Sequence, residues 1–462
     1  MGLAKAAAAA LADAELDLDQ ASILARLDAV RQHPSRFLDD PILEPLAIEL
    51  DSAAREAAER AERPQLRSEP LPYRVWGYEG IDDAARMQME QAMRLPITVG
   101  GALMPDAHVG YGLPIGGVLA THEAVIPYAV GVDIACRMRL SVYREDSGIL
   151  DDKPQPLEQA LRRKTYFGAG VKNPDKPDHE VLSDDAWSDS KLLRSLRNLA
   201  TQQLGTSGTG NHFVEWGRLE LTEPDAALGL EPGVYLALLS HSGSRGVGFK
   251  IANTYSQIAM DKHRSLDSSA RHLAWLSLEG HDGQEYWQAM ELAGRFASAN
   301  HHVIHRAVAT AAGMREVAAV ENHHNFAWRE TVRDPSGNSV EAVVHRKGAT
   351  PAGAGVLGVI PGSMADPGFV VRGRGDFESL NSAAHGAGRA MGRRAAIAAI
   401  RRTDRDQYLR ERHVTLLGGG LDEAPQAYKR IEQVIAAQSD LVELIGKFTP
   451  RIVRMADEHG DT

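Results

Sequence analysis

Residues 117–136 read GVLATHEAVIPYAVGVDIAC. The first part looks like a β-strand feeding a tight turn, and the turn closes on a D-x-x-C pair, Asp133 and Cys136. A carboxylate oxygen and a thiolate three residues apart can reach one cation from a turn, and sulfur keeps spare lone pairs with which to bridge a second. Cysteine together with histidine favours Zn, Mn, Fe or Co over Mg or Ca. Cys136 is the only cysteine of the 462-residue chain, so no intrachain disulfide framework exists. A lone cysteine is most often a small buried hydrophobe. Flanking Gly131 and Asp133, and the histidine-bearing segments downstream, point instead to a metal ligand.

Working outward, YLALLSHSGSRGVG (235–248) is a second strand feeding a glycine turn, and the spacing predicts helices over 285–312 and 424–448. Residues 1–66 differ in texture: they are rich in Ala, Asp, Glu and Leu, read as helices with an exposed one over 52–63, and end at Pro64, Pro70 and Pro72. Strands and helices without regular alternation, and with no fixed-period repeat, indicate an α+β fold with a complex mixed sheet. The expected organisation is a helical extension over 1–66 followed by one large domain over 67–462.

The formal net charge of -11 argues against binding polyanions over the whole surface. A nucleic-acid site must then be a local basic patch. Candidates are His345-Arg346-Lys347, Arg372 with Arg374, and Arg389 with Arg393-Arg394, each of which could equally be a solvated face. No apolar run approaches the roughly 18 residues of a membrane span, and the N-terminal stretch lacks the layout of a signal peptide. A cytoplasmic protein is expected.

Six segments combine His, Asp, Cys or Asn with glycine: MPDAHVGYG (104–112), GVDIAC (131–136), GTGNHFVEWG (208–217), LSHSGSRGVG (239–248), ENHHNF (321–326) and HGAGR (385–389). Glycines let such loops turn tightly and bring short polar side chains together. His212, His241 and His324 each stand within two residues of Asn or Gly at the ends of regular runs, where an imidazole is well held for ligation. In HGAGR, Gly386, Ala387 and Gly388 allow a nucleotide to approach the backbone, and Arg389 and Arg393, four apart, share a face if a helix follows. His385 is a candidate nucleophile toward phosphorus, or else only a hydrogen-bond donor in a phosphate loop. HRKGAT (345–350) adds a basic turn with Lys347 as a phosphate contact.

In this order, and joined by YRVWG (73–77), PGSM (361–364) and EAPQAYK (423–429), these segments resemble the RtcB family of GTP-dependent RNA ligases, from about residue 73 to 454. The resemblance implies a cleft holding two manganese ions bridged by Cys136, one with Asp133 and His212, the other with His241 and His324. It implies GTP as cosubstrate, with GMP carried on His385 and Asp106 close by. Asn211, Glu215, Ser363 and Tyr428 match positions around the guanylate, and Arg245, Lys347, Arg389 and Arg393 match positions for RNA phosphates. The implied reaction joins RNA 3′-phosphate or 2′,3′-cyclic phosphate ends to 5′-hydroxyl ends in RNA repair or tRNA processing, in a monomer helped by an archease-like activator. The other readings are a phosphoesterase or nucleotidyltransferase on the same centre, and a weakly catalytic factor that binds RNA ends.

The sequence also departs from the family pattern. Arg137 stands where glycine usually follows the cysteine, placing bulk and charge beside the bridging ligand where RNA or GTP should approach. Gly368 replaces a pocket serine and Pro351 an arginine. Arg454 aligns with the lysine that contacts guanine, and is expected to substitute for it.

Overall fold

The computed structural model describes residues 2–14, 18–61 and 65–457. The chain forms two compact units, residues 1–65 and 66–462. The first contains helices Gly2–Ala14, Gln20–Gln32 and Glu44–Ala61 around a small core of Leu11, Val30, Leu43 and Ala47. Asp19 caps the second of these by accepting from the Ser22 amide at 2.8 Å. The sequence places an exposed helix over 52–63; the side chains from 53 onward, and residues 62–63 entirely, lie outside the described residues.

The second unit is built on strands β1 (Arg74–Val75), β2 (Thr98–His108), β3 (Ile115–Thr121), β4 (Arg137–Asp146), β5 (Phe213–Leu221), β6 (Gly233–Ser242), β7 (Glu316–His323), β8 (Asn325–Arg333), β9 (Ser339–Lys347), β10 (Leu357–Ile360), β11 (Gly368–Gly373) and β12 (Val442–Met455). One five-stranded sheet runs β1-β2-β3-β9-β8. An eight-stranded sheet runs β10-β11-β12-β5-β6-β4-β7, with Thr415–Leu416 beside β12. This sheet is nearly closed. A side chain bridges its two edges: Asn322 on β7 donates to the Val359 carbonyl of β10 at 3.4 Å and accepts from the Val359 amide at 2.8 Å. An amide side chain can mimic a backbone pair in this way because it carries one donor and one acceptor edge.

Alternation along the strands sorts side chains to two faces. Val214, Trp216, Leu236 and Leu238 pack with Ile304 and Val308 of the helix His281–Ala312, while Leu219, Leu239, Val370 and Phe448 fill the other side. The helix expected over 285–312 is therefore present and four residues longer at its start. The expected helix over 424–448 is not. That stretch holds only a 3-10 turn at Pro425–Ala427 and the short α-helix Ile431–Ala436, and Val442–Met455 is a 14-residue strand at the middle of the large sheet. Its sequence explains the correction. From Gly446, buried Gly446, Phe448, Pro450 and Ile452 alternate with more exposed Lys447, Thr449 and Arg451, and Pro450 sits at a register shift between β12 and β5, where its missing N–H costs no ladder bond.

All the glycine-bounded segments converge at one end of this sheet. Cys136 precedes β4, His212 precedes β5, His241 lies near the end of β6 and His324 occupies the junction of β7 and β8.

Candidate active site

Asp133 and Cys136 lie on a turn closed by the Cys136 amide, which donates to the Asp133 carbonyl at 3.1 Å. Asn325, at the start of β8, donates to that same carbonyl at 3.2 Å, and its side-chain oxygen accepts from the Gly348 amide at 2.9 Å. The turn of HSGSR approaches so closely that a Cβ on Gly243 would fall 2.3 Å from the Asp133 carboxylate. Glycine is required there to make room for the ligand.

The side chains form two triads sharing Cys136: Asp133, Cys136 and His212, and Cys136, His241 and His324, the candidate ligand atoms of each lying within 4.8 Å of one another. Cys136 Sγ is 3.4 Å from His212 Nε2 and 3.1 Å from His241 Nε2. His212 Nε2 is 3.1 Å from Asp133 Oδ2, and His241 Nε2 is 3.2 Å from His324 Nε2. A tetrahedral ion with bonds of about 2.0–2.3 Å places its ligands roughly 3.3–3.8 Å apart, so each triad needs only small adjustment to close on a cation. The tautomers suit this. His212 Nδ1 donates to the Ser207 carbonyl at 2.8 Å and His241 Nδ1 to the Asn211 carbonyl at 3.1 Å. Both Nε2 lone pairs are thus left facing the sulfur, the backbone-to-imidazole arrangement common to metal-ligating histidines.

The electrostatics agree. Burial pushes the Cys136 thiol well above its usual range, and the Asp133 charge raises it further. A thiolate there requires a cation, and metal binding must displace the thiol proton. Burial also raises Asp133, but the His212 hydrogen bond and the His212 and Arg245 charges outweigh it and hold the carboxyl at about 2. Burial and the neighbouring imidazoles lower His241 and His324, keeping them neutral and able to ligate.

His385 stands beside this cluster, its ring centroid 4.7 Å from that of His324. It follows the strand Ser382–Ala384. Its Nδ1 lies 2.7 Å from Oδ2 of Asp106, a wholly buried residue on β2 whose same oxygen accepts from the His385 amide at 3.2 Å. Asp106 therefore holds the proton on Nδ1 and leaves the Nε2 lone pair available. Gly388 lies against β2: a Cβ there would meet the Asp106 carbonyl at 2.1 Å, and its φ of +71° is left-handed.

The two triads, His385 and Gly388 line a cleft of about 600 Å³, together with Asn211, Phe213, Ser363, Gly386, Ala387, Arg389, Arg393, Glu423 and Tyr428. The expected single helix face for Arg389 and Arg393 is not formed. Gly388 turns the chain, the helix begins only at Arg393, and the two guanidinium groups meet instead through Glu423. Asp422 also pairs with Arg393 at 2.5 Å, and the Tyr428 hydroxyl donates to Glu423. Lys347 is buried and spends its ammonium on the carbonyls of Tyr111 and Leu113 at 2.5 and 3.0 Å, with its pKa lowered by burial to about 7. Arg245 lies under the first triad, its Nη1 3.4 Å from His212 Nδ1, and packs where a Cβ on Gly208 would clash. Glu215 lies two residues beyond Phe213 on the same strand face, and burial pushes its carboxyl well above the usual range. Ser363 Oγ donates to Asp366 at 2.5 Å.

Two further residues of these motifs, Glu423 and Lys429, hold the site together. Glu423 opens EAPQAYK and organises both arginines. Lys429 closes it and donates to the carbonyls of Pro105 and Ala107 at 3.1 and 2.8 Å, clamping the backbone on either side of Asp106.

The family model described as tRNA-splicing ligase RtcB matches residues 88–191 and 177–456. The chain belongs to the RtcB family. It is 36% identical over 413 residues to the RNA-splicing ligase RtcB of Escherichia coli K12, covering 82% of this chain and 96% of that protein. It is 31% identical to the RNA-splicing ligase RtcB of Mycobacterium tuberculosis over 441 residues, 79% of this chain and 99% of that one. The tRNA-splicing ligase RtcB of Thermococcus kodakarensis is 29% identical over 453 residues, 82% of this chain and 94% of that one.

Two departures from the RtcB pattern resolve differently from expectation. Arg137 does not enter the cleft. It is buried and turned toward the helix His281–Ala312, where it donates to Gly294 O at 3.0 Å, to the Ala135 carbonyl at 3.3 Å and to Glu321. Glu321 also pairs with Arg139 at 3.0 Å, and although burial raises its carboxyl, His302 and Arg137 hold it far below the usual range. The added charge is thus neutralised behind the metal turn, where it ties down Ala135 at φ +56°. Glu321→Ala removes the carboxylate paired with buried Arg137 and leaves Arg139 with Glu316 at 3.1 Å; it is expected to cost about 3–5 kcal/mol, read by urea denaturation, and a loss below ~1 kcal/mol would contradict the pairing.

Arg454 does not reach the cleft either. Strand parity puts it opposite Val214, on the face of Phe167 and Leu417 O, to which it donates, while Met455 lies opposite Phe213 and lines the cleft. The register shift near Pro450 sets this parity. Gly368 begins β11 against Pro361, and Pro351 ends a short strand opposite Ser382.

Proposed function

We propose that this RtcB-family chain is an RNA ligase that joins 3′-phosphate or 2′,3′-cyclic phosphate ends to 5′-hydroxyl ends in RNA repair or tRNA splicing, with GTP as cosubstrate and GMP carried on His385. The observation that carries this reading is the Asp106–His385 pair set against a Cys/His/Asp cluster. An imidazole whose Nδ1 proton is held by a buried carboxylate presents Nε2 as a nucleophile, and a pure RNA binder has no need of one. The cluster residues would hold two divalent cations, taken as manganese, which when bound supply Lewis-acid neutralisation of phosphate charge.

His385 Nε2 attacks the α-phosphorus of GTP, the bond to the β-phosphate oxygen breaks and pyrophosphate leaves. Asp106 steadies the imidazole as it becomes N-phosphorylated. An oxygen of the RNA 3′-phosphate then attacks the phosphorus on His385, returning its lone pair and forming RNA(3′)pp(5′)G. Finally the 5′-hydroxyl of the partner strand attacks the 3′-phosphate, loses its proton and releases GMP. Where the substrate is a cyclic phosphate, water first opens the ring. Arg393, half exposed with Nη2 close to Gly210, is the arginine best placed to meet these phosphates. Arg245, Arg389 and Lys347 act on the geometry of the walls. Glu215, Ser363, Asn211, Tyr428 and the Gly386–Gly388 backbone would receive the guanylate, and Arg454 has no direct part. A monomer working in the cytoplasm with an archease-like activator fits this reading.

The test is ligation of a 3′-phosphate RNA to a 5′-hydroxyl RNA with Mn(II), with and without GTP. GTP-dependent joining is expected; its absence at all divalent metals tried, with or without an archease-like activator, would sink the reading. Asp106→Asn should reverse the imposed tautomer and slow modification of His385 on the order of 10²–10⁴-fold, measured by rapid-quench labelling. Wild-type rates in that variant would contradict the role of Asp106.

A further inference from the structure

The cleft has a wall that the chemistry above does not use. Tyr111 is 67% exposed and Val109 51% exposed, although both lie on the segment joining β2 to β3 and line the cleft. Large apolar groups exposed on a loop are ordinarily a sign of mobility, but this loop is fastened from three sides. Gln88 clasps Gly110 with both ends of its amide, at 2.5 and 2.9 Å. Lys347 Nζ holds the carbonyls of Tyr111 and Leu113. Gly112 packs so tightly on the His272 carbonyl that a Cβ there would lie 2.6 Å from it. The buried lysine therefore acts as a fastener, its ammonium committed to the loop that presents Tyr111.

Tyr111 is also part of an aromatic trio. Its ring is 5.9 Å from His272 in an edge contact and 6.4 Å from Tyr128, and Tyr128 is 5.0 Å from His272. Tyr128 stands on the helical turn Pro127–Val130, which leads straight into the Gly131–Cys136 metal turn, and Arg271 beside His272 is exposed. A held ring with an open face, in contact through Tyr128 with the turn that bears Asp133 and Cys136 and with an exposed arginine next in sequence to its supporting His272, offers what single-stranded nucleic acid requires: a stacking surface for a base and a charge for its backbone.

We propose that Tyr111, supported by Tyr128 and His272 and fastened by Lys347 and Gln88, is a stacking platform for one unpaired nucleobase of the RNA strand entering the cleft. The platform takes its ligand class from the ligase reading, but it is read by binding rather than by turnover. Because stacking uses the π-face of any base, the site positions the strand without selecting sequence. Its holder residues lose little entropy on binding, since the loop is already ordered.

The test uses the full chain and a short single-stranded 5′-hydroxyl RNA carrying 2-aminopurine, moved one position at a time from the end. One position should show quenched fluorescence in the wild type and in Tyr111→Phe, with the quench lost in Tyr111→Ala. Tyr111→Ala should weaken RNA binding by roughly tenfold or more, and Tyr111→Phe should restore it. An abasic nucleotide at the quenched position should weaken wild-type binding to the same extent and have no further effect in Tyr111→Ala, because the two changes remove the same contact. Thermal melting of the alanine variant separates lost stacking from lost folding: wild-type melting with weakened binding supports the platform. Equal RNA affinity in wild type and Tyr111→Ala, or additive losses with the abasic strand, would overturn it. Wild-type ligation is measured alongside. Tyr111-dependent binding without ligation removes the ligase reading and leaves the platform; ligation with Tyr111-independent binding does the reverse.

Discussion

Cys136→Ala is expected to abolish tight metal binding at both halves of the cluster, not at one. The two triads share only that sulfur. Removing it leaves Asp133 with His212 on one side and His241 with His324 on the other, two ligands each in place of three. Loss of one strong ligand alone costs a site much of its affinity, and a thiolate contributes the charge that a buried site most needs. Equilibrium dialysis with Mn(II) or Co(II) should show about two ions per chain in the wild type and none retained in the variant. The Co(II) form adds a check independent of activity: a thiolate-to-cobalt charge-transfer band present in the wild type and absent in Cys136→Ala. Undiminished stoichiometry would show that the ligands were wrongly assigned. The His212→Ala variant should lose one ion and keep the other.

The second large effect concerns ligation itself. His385→Ala removes the group proposed to carry GMP, and none of the described side chains beside it offers a replacement. His324, the nearest imidazole, is committed to the metal cluster, and burial and its imidazole neighbours lower its pKa. Joining of 3′-phosphate to 5′-hydroxyl RNA should fall by about 10⁴-fold or more, the scale of loss when a covalent nucleophile is deleted. Supplying a synthetic strand already bearing RNA(3′)pp(5′)G should bypass the defect, because the imidazole takes no part in the remaining attack of the 5′-hydroxyl on the 3′-phosphate. Failure of that bypass in a variant that still binds metal would show that His385 serves another step.

How much of this was legible in the sequence follows from the range of the interactions concerned. The candidate ligands and His385, which the fold brings together, sit in short segments where glycine gives a local reason for a tight, polar turn, and such turns are written in a few consecutive residues. The long helix was legible for the same reason. What was missed depends on partners far apart in the chain. Arg137 looked like an intruder in the cleft because its partner Glu321 lies 184 residues away on a neighbouring strand. Arg454 looked like a substitute for a guanine contact because its parity depends on a register shift near Pro450 that only pairing with β5 reveals. The strand β12 was hidden behind a helical pattern that does begin, at Ile431, but stops at Ala436. Lys347 and Arg389 carried the right charge for phosphate, yet the structure commits them to carbonyls and to Glu423. Charge is legible in a sequence, whereas whether it is already spent is a property of the fold.

Whether the Asp106–His385 pair accepts a nucleotide beside the Cys/His/Asp cluster is decided by incubating the purified protein with Mn(II) and GTP labelled at the α-phosphate. Covalent label is expected on the wild-type chain, labile in acid and stable in base as a phosphoramidate is, mapping to the peptide that contains His385 and absent from His385→Ala. Label at another residue, label surviving in His385→Ala, or no label on a wild-type protein shown to hold its metal would contradict it.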